Sequence, residues 1–335
     1  MDGFYDALER AIETARLAPS SHNCQPWRVD YSLLSQEVSI GFDNHRVLRG
    51  LESLEREMFI SAGVFTHFLT ALLAYQGYQL NWQWQSEYGD HRVLATSGVT
   101  QLNSGSDAEE YQALSQRIRE RHTIRSRFKT TAVDIHSLET IVQHASCHFY
   151  SADHVGTTLG NLTKQYAALD FTNKSAWEET YNYIRFDEDE FAEDGFYLRN
   201  LFGPVSKPFR LLFRYGFHPT MMPINKRLGL AKKMAAGLGE LVESGPYYLA
   251  LSPKENSQEA LFECGYELGA LWLYMQRQGI GLHPISVLVQ HETARKALAQ
   301  SLQCPPPVFF ARLGHIEQSG LDAPRRSVES ILNCV

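Results

Sequence analysis

The sequence predicts an α+β chain of two comparable halves, and three observations carry that reading. Strand-like runs alternate with long helical patterns throughout the 335 residues. Each half holds one aromatic-rich, buried-looking helix, Phe59 to Gly77 and Phe262 to Gly279. Each of these has an internal glycine, Gly63 or Gly265, fourteen residues before the terminal glycine. A polar break, Asn103-Ser104-Gly105-Ser106-Asp107, stands between the halves. The identity between the two helices is low, so the echo alone does not establish a duplication.

In chain order, residues 4–17 have helical periodicity, with Leu8, Ile12 and Ala15 on one face. Pro19 requires that helix to stop, because a residue before proline is pushed out of the α region. Strands are expected at Trp27 to Tyr31 and Glu37 to Phe42. A helix at about 54–76 should end on Gly77 in a left-handed cap. Strand-like runs follow at 79–86 and 91–99. The second half opens with a helix at about 108–121. It then offers a strand at Tyr247 to Leu251, a helix at about 257–277 ending near Gly279, and a strand at Val308 to Leu313.

Composition narrows the function. The chain is 44% hydrophobic and 21% charged, an ordinary globular balance. A net charge of −7 argues against nucleic acid as a partner. Five scattered cysteines make no disulfide framework and fit a reducing, cytoplasmic setting. Met1 to Arg16 has no basic start followed by an apolar run, so no signal peptide is visible. The apolar stretch Met58 to Ala74 is interrupted by Ser61, Thr66, His67 and Thr70 and reads as a core helix rather than a membrane span.

Two stretches carry candidate chemistry. Ala18-Pro19-Ser20-Ser21-His22-Asn23-Cys24-Gln25-Pro26-Trp27 crowds hydrogen-bonding side chains between two prolines, a loop able to read the edge of a planar heterocycle. A capped helix–strand connection would use the same residues, and spacing alone does not separate the two. Arg121-His122-Thr123-Ile124-Arg125 flanks a hydroxyl with two guanidinium groups, which suit phosphate oxygens. Taken alone it reads better as surface cations at a helix C-terminus. His144, Cys147 and His148 lack a fourth metal ligand, and Gly237-Leu238-Gly239 lacks the third glycine of a dinucleotide fingerprint.

Together the two stretches resemble the nitroreductase superfamily. Ala18 to Trp27 looks like its flavin-pyrimidine loop, in the form used by the long Acg-type FMN-binding branch, with Cys24 where that branch usually has threonine. The likeness continues through Asp43, Arg46, Leu48 and Arg56-Glu57. It resumes at Arg121-His122-Thr123-x-Arg125-x-x-Phe128, and softer matches follow at Asp194-Gly195, Gly245 to Leu251, Pro284-Ile285-Ser286, Arg312-Leu313-Gly314 and Arg325-Arg326. In ordinary members both motifs lie in one repeat. Here the loop lies in the first half and the arginine motif in the second, which implies two tandem nitroreductase-like repeats fused as an intramolecular pseudo-dimer. The repeats would span 1–102 and 108–335, with one complete FMN site.

The resemblance implies that Ser20, Ser21, Asn23 and Gln25 face the flavin. Arg121, His122, Thr123 and Arg125 would hold its phosphate and ribityl chain, and Arg325 and Arg326 would add phosphate contacts. Pro284, Ile285 and Ser286 would run beside the reactive ring edge. It implies hydride transfer from NADH or NADPH to a small conjugated, nitro or quinone-like acceptor or a biosynthetic intermediate, with no obligate side-chain acid or base and no metal. Fusion favours a monomer over a homodimer.

An insertion at about 178–240 complicates this. Residues 178–194 hold eight acids, and 207–233 hold seven Lys or Arg and no acid, mixed with apolar residues. A lid whose charged faces attract each other is the favoured reading. A basic, apolar surface for a membrane or an acidic carrier protein is the alternative. The function alternatives follow from it: a flavin-storing protein with a covered ring, or a carrier-dependent tailoring enzyme.

Overall fold

The computed structural model describes residues 3–85, 93–103, 105–143, 145–187 and 191–335 and has the expected α+β architecture. The outer ends of the 79–86 and 91–99 strands, Ser104, His144 and residues 188–190 lie outside the described residues.

Two sheets form the frame. In the first, the strands run side by side as Leu332–Cys334, Trp27–Ser32, Glu37–Phe42, Val93–Gln101 and Tyr78–Leu80, with Gln83–Trp84 also paired to Val93–Gln101. In the second the order is Ser146–Ser151, Tyr247–Ser252, Phe309–Ile316 and Ile280–Pro284, with Phe128–Lys129 on Phe309–Ile316. Apart from Leu332–Cys334 and the short flanking pairs, each sheet therefore places its four strands first, second, fourth, third in chain order. A long helix connects the second strand to the third in both. All these pairings are antiparallel except the last strand, which joins the first sheet in parallel with Val29 opposite Leu332. The C-terminus of the second half thus completes the sheet of the first.

The two long helices, Ser53–Tyr75 and Gln258–Arg277, are the centre of the molecule. A Cβ added at Gly63 would overlap the Phe262 carbonyl oxygen, and one added at Gly265 would overlap the Ile60 carbonyl oxygen. Each glycine is met by the residue three positions before the other. This is the reciprocal contact of a two-fold interface, made here within one chain. The echoed glycines are therefore the crossing point of the helices. Three hydroxyls of the first helix are satisfied along its own backbone: Ser61 donates to Glu57 O at 2.6 Å, Thr66 to Ala62 O at 2.8 Å and Thr70 to Thr66 O at 2.7 Å. That helix is long and apolar enough to cross a membrane, yet 72% of its most apolar window is buried inside the protein. Gly77 and Gly279 close the two helices at φ values of +88° and +68°, a conformation other residues rarely adopt.

The halves differ between their first two strands. Trp27–Ser32 and Glu37–Phe42 are joined by a short turn, whereas 152–246 separate Ser146–Ser151 from Tyr247–Ser252. The insertion therefore starts earlier than its charge pattern indicates, because its base is the uncharged-looking helix Ala152–Tyr166. This helix packs on Leu230–Glu243 through Gly160 and Gly239. The middle of the insertion has its own small core of Trp177, Ile184, Leu198, Phe213 and Met222.

Gly63→Ala and Gly265→Ala should each lower unfolding stability by about 2 kcal/mol or more, since the added methyl meets backbone that cannot move aside. Helix propensity alone predicts the opposite sign, a gain of about 1 kcal/mol. Chemical denaturation midpoints decide between them, and a stabilised Gly63→Ala variant would refute the close crossing.

Candidate functional site

A cavity of about 670 Å³ lies where the halves meet. The loop Pro19, Ser20, Ser21 and His22 forms one wall. Glu57, Ile60, Ser61 and Val64 come from the first core helix, and Leu268 and Trp272 from the second. Thr123, Arg125, His283, Pro284, Ser286 and Gln290 come from the second half's loops and strands. Trp177, Phe196, Phe202, Phe213, Lys233 and Met234 of the insertion close it over.

The Pro19–Gln25 loop is wound tightly. His22, Asn23 and Gln25 have φ of +52°, +54° and +50°, three non-glycine residues in the left-handed region, where each carries strain. Hydrogen bonds hold them there. Asn23 Nδ2 donates to Gly195 O and Pro324 O, both at 2.8 Å, and Gln25 Nε2 donates to Glu193 O at 2.8 Å. The Gln25 amide donates to Ser20 Oγ at 3.0 Å. Of the loop residues expected at the site, Ser20 and Ser21 line the cavity. Asn23 and the buried Gln25 instead tie the loop to the insertion and to the C-terminal segment.

The arginines also divide. Arg121 is 4% exposed and donates Nη2 to Leu17 O at 3.0 Å, while its Nε and Nη1 are buried with no partner. Its guanidinium lies over the Trp272 ring, 4.8 Å from the centroid. Arg125 lines the cavity. Arg325 donates to Ala18 O and Asn23 Oδ1 at 3.0 and 2.6 Å. Burial pushes Arg121 down to about 9, with Arg325 nearby adding to the shift. Burial likewise takes Arg125 and Arg325 to about 10, so all three remain cations at neutral pH. The hydrogen bonds of Arg121 and Arg325 go to neutral oxygens. Charge buried this way, with unused N–H groups, is an anion site in waiting.

Arg326 is different. It is 2% exposed and spends its guanidinium on Gln25 O, Trp27 O and Asp43. It clamps the strand start and the loop rather than the cavity. His122 faces outward, bonding Glu120 O and Asp322. In the Pro284-Ile285-Ser286 turn the Ile285 amide is used on Phe310 O at 2.8 Å and proline has none, which leaves the Ser286 amide as the donor beside the cavity.

Sequence reasoning passed over Glu57 as a site residue, although Arg56-Glu57 belongs to the matched pattern. Its carboxylate receives the Ser21 hydroxyl, and its Oε1 is buried without a partner. Burial pushes the carboxyl up to about 7, opposed by the Gln290 side chain and supported by the negative charge of Asp170. Asp170 is itself held by His291 Nε2 at 2.6 Å. His22 is pushed down to about 4 by burial, and His283 well below its usual range by burial and by Arg312 and Arg125. Arg312 Nε donates to His283 Nδ1 at 2.9 Å. The signals in the sequence were its place in the matched Arg56-Glu57 pair and an acid near the start of an apolar helix.

The insertion is held closed by opposite charges. Arg46 bonds Asp194 at 2.9 Å and Glu193 at 3.1 Å, Arg185 also bonds Asp194, and Arg210 and Arg214 face Asp187 at 3.9 and 3.4 Å. The acidic segment meets the basic one at Asp187, which faces Arg210 and Arg214.

Comparison with known proteins gives one strong match. The chain is 46% identical to the Probable NAD(P)H nitroreductase PigM of a Serratia species, over 99% of this chain and 94% of that protein. The chain belongs to the nitroreductase family. No family model matches it. Among solved structures, the FMN-dependent nitroreductase NfnB of Mycobacterium smegmatis in complex with NADPH is 14% identical, with a TM-score of 0.40 over 65% of this chain and 96% of that one. A nitroreductase-like family protein from Bacillus cereus is 10% identical, with a TM-score of 0.37 over 66% and 95%.

Two predictions separate the roles in this nitroreductase. Arg326→Ala should destabilise the fold by about 1–3 kcal/mol, because it strips the guanidinium bonds from Gln25 O, Trp27 O and Asp43, whose carboxylate keeps only the His45 amide and Arg46; an unchanged melting temperature would refute the clamp. Glu57→Gln should remove a pH dependence of stability. The wild-type carboxyl stays protonated in the fold up to about pH 7, while the unfolded chain ionises from about 4.5. Stability is therefore lost as pH rises through that window and then levels off. Melting temperatures of the variant should rise relative to wild type across it, and parallel curves would show that Glu57 titrates normally.

Proposed function

We propose that this nitroreductase is an FMN-dependent oxidoreductase that takes hydride from NADH or NADPH and passes it to a small conjugated, nitro or quinone-like acceptor. The observation that carries the reading is buried, unneutralised arginine charge at the cavity: Arg125 lines it together with Ser20 and Ser21, and Arg121 lies buried behind it over the lining residue Trp272, with two N–H groups unpartnered. The residues present fit FMN. Arg121 Nε and Nη1 and the Arg125 guanidinium suit a phosphate, and Thr123, Ser20 and Ser21 offer hydroxyls to the ribityl chain and ring edge. Ser286 offers a backbone donor.

FMN bound there would supply two-electron hydride chemistry, with reductant and acceptor using the same space in turn. The chain's own residues bind and orient. Trp272, Leu268, Ile60, Val64, Phe196 and Phe213 form apolar walls that exclude water. The lining spans both halves, since Ser20 and Ser21 come from the first and Thr123 and Arg125 from the second, and this supports the fused pseudo-dimer with one complete site. A storage protein is the second reading. It is favoured by the ties that hold the insertion over the cavity, Asn23 to Gly195, Gln25 to Glu193 and Arg46 to Asp194.

Purified protein should show flavin absorption near one FMN per chain that bleaches with NADH or NADPH in the absence of oxygen. Bands that persist would favour storage, and a colourless protein that refuses added FMN would overturn both. Arg125→Ala should weaken FMN binding by roughly tenfold to a hundredfold with little change in melting temperature of the flavin-free protein, as loss of one charged hydrogen-bonding group predicts; fluorescence titration with FMN measures it.

A further inference from the structure

Two-electron reduction of a carbonyl, quinone or nitro group needs a proton as well as a hydride, and the cavity holds few groups able to give one. Among its described lining residues, His22 and His283 are kept neutral by burial, and His283 already accepts from Arg312. Asp170 is engaged by His291. Arg125, at about 10, keeps its proton too firmly for the task. Glu57 remains. It sits on the first core helix one turn before Ile60 and Ser61, which line the same cavity.

We propose that Glu57, positioned by the Ser21 hydroxyl, is the proton donor to the reacting oxygen or nitrogen of the acceptor, and the proton acceptor in the reverse direction. The geometry is specific. One carboxyl oxygen takes the Ser21 hydroxyl of the loop, and the other, Oε1, is buried on a residue that lines the cavity, with the Gln290 side chain beside the carboxyl. The charged groups around it are Arg56 on its own helix, Asp170 from the insertion side, and Arg125 and Lys233 elsewhere in the cavity wall. Burial outweighs the cations, so the carboxyl is half protonated near pH 7, where a group can both give and regain a proton.

The inference rests on the flavin reading for its electrons. In the forward direction two electrons and a hydrogen reach the acceptor as hydride whose source is NAD(P)H. The Oε–H bond of Glu57 breaks, an O–H or N–H bond forms on the acceptor, and water reprotonates the carboxylate. The substrate class this selects is an acceptor with a hydrogen-bonding oxygen or nitrogen at or conjugated to its reacting atom. A hydride acceptor without one, such as an isolated alkene, gains nothing from Glu57.

The test uses FMN-loaded wild type, Glu57→Gln and Glu57→Asp, and follows the two half-reactions separately on either side of neutral pH. Reduction by NADH or NADPH should be alike in all three. Reoxidation by para-benzoquinone or 4-nitrobenzoate should be about 10²-fold slower or more in Glu57→Gln, partly restored in Glu57→Asp, and should lose the wild-type decline above about pH 7. A readout independent of turnover is the carboxylic-acid C=O band in wild-type-minus-Glu57→Gln infrared spectra, which should fade as pH rises through neutrality. Wild-type reoxidation rates and pH profile in Glu57→Gln, or no such band, would overturn the proposal. A wild-type protein that binds no FMN or is not reduced would instead overturn the flavin reading, and the infrared band still reports the state of Glu57.

Discussion

The close crossing of Ser53–Tyr75 and Gln258–Arg277 is the constraint on which the rest depends. Backbone meets backbone at Gly63 and Gly265, and any side chain there would force the helices apart. The same helices present Glu57, Ile60 and Val64 from one side and Leu268 and Trp272 from the other to a single cavity. Widening the crossing would move these walls relative to each other. The glycines lower helix propensity, by about 1 kcal/mol each, and the loss is offset by the packing their absence of side chain allows. The C-terminal strand that enters the first sheet ties the two halves together a second time.

Electrostatics divide the cavity. Arg125 lines it and stays charged although buried, with Arg121 buried behind it, while the lining carboxyl of Glu57 is pushed by burial up to about 7. Both departures share one physical cause, loss of water around an ionisable group, yet they differ in outcome. An arginine begins so far above neutral pH that a shift of a few units leaves it cationic, whereas a carboxyl needs a smaller shift to reach pH 7. The first result suits a permanent anion such as a phosphate, and the second suits a proton that must move.

The insertion adds a roof and a latch. Its aromatic core is a cluster apart from the main one, and the insertion meets the Pro19–Gln25 loop through the Asn23 and Gln25 hydrogen bonds and the His22–Tyr183 ring contact, with Arg46 adding ion pairs beside the loop. Such a latch is weaker in salt and water than the hydrophobic crossing beneath it. The strained loop beneath it, with three non-glycine residues at positive φ, is fixed by partners that come from the insertion and the C-terminal segment, so roof, loop and tail hold one another.

Local chemistry wrote most of the frame into the sequence. Trp27–Ser32, Glu37–Phe42 and both long helices follow from apolar periodicity, and Gly77 and Gly279 end those helices because only glycine tolerates the left-handed cap easily. The two motifs at Ser20–Ser21 and Thr123–Arg125 also stand out in the sequence, but their residue types fit a capped connection and surface cations as well, and it is the family resemblance that singles them out. Which members of each motif face the cavity was not legible there. Asn23, Gln25 and Arg326 share their neighbours' chemistry but point into contacts made 170 to 300 residues away along the chain. The start of the insertion at 152 was hidden for a similar reason, because Ala152–Tyr166 reads as an ordinary helix until its partner Leu230–Glu243 is in place. Glu57 shows the difference most plainly. Its identity comes from the sequence, but its protonation comes from burial against the Ser21 loop and the cavity wall, and burial is a property of the tertiary structure alone.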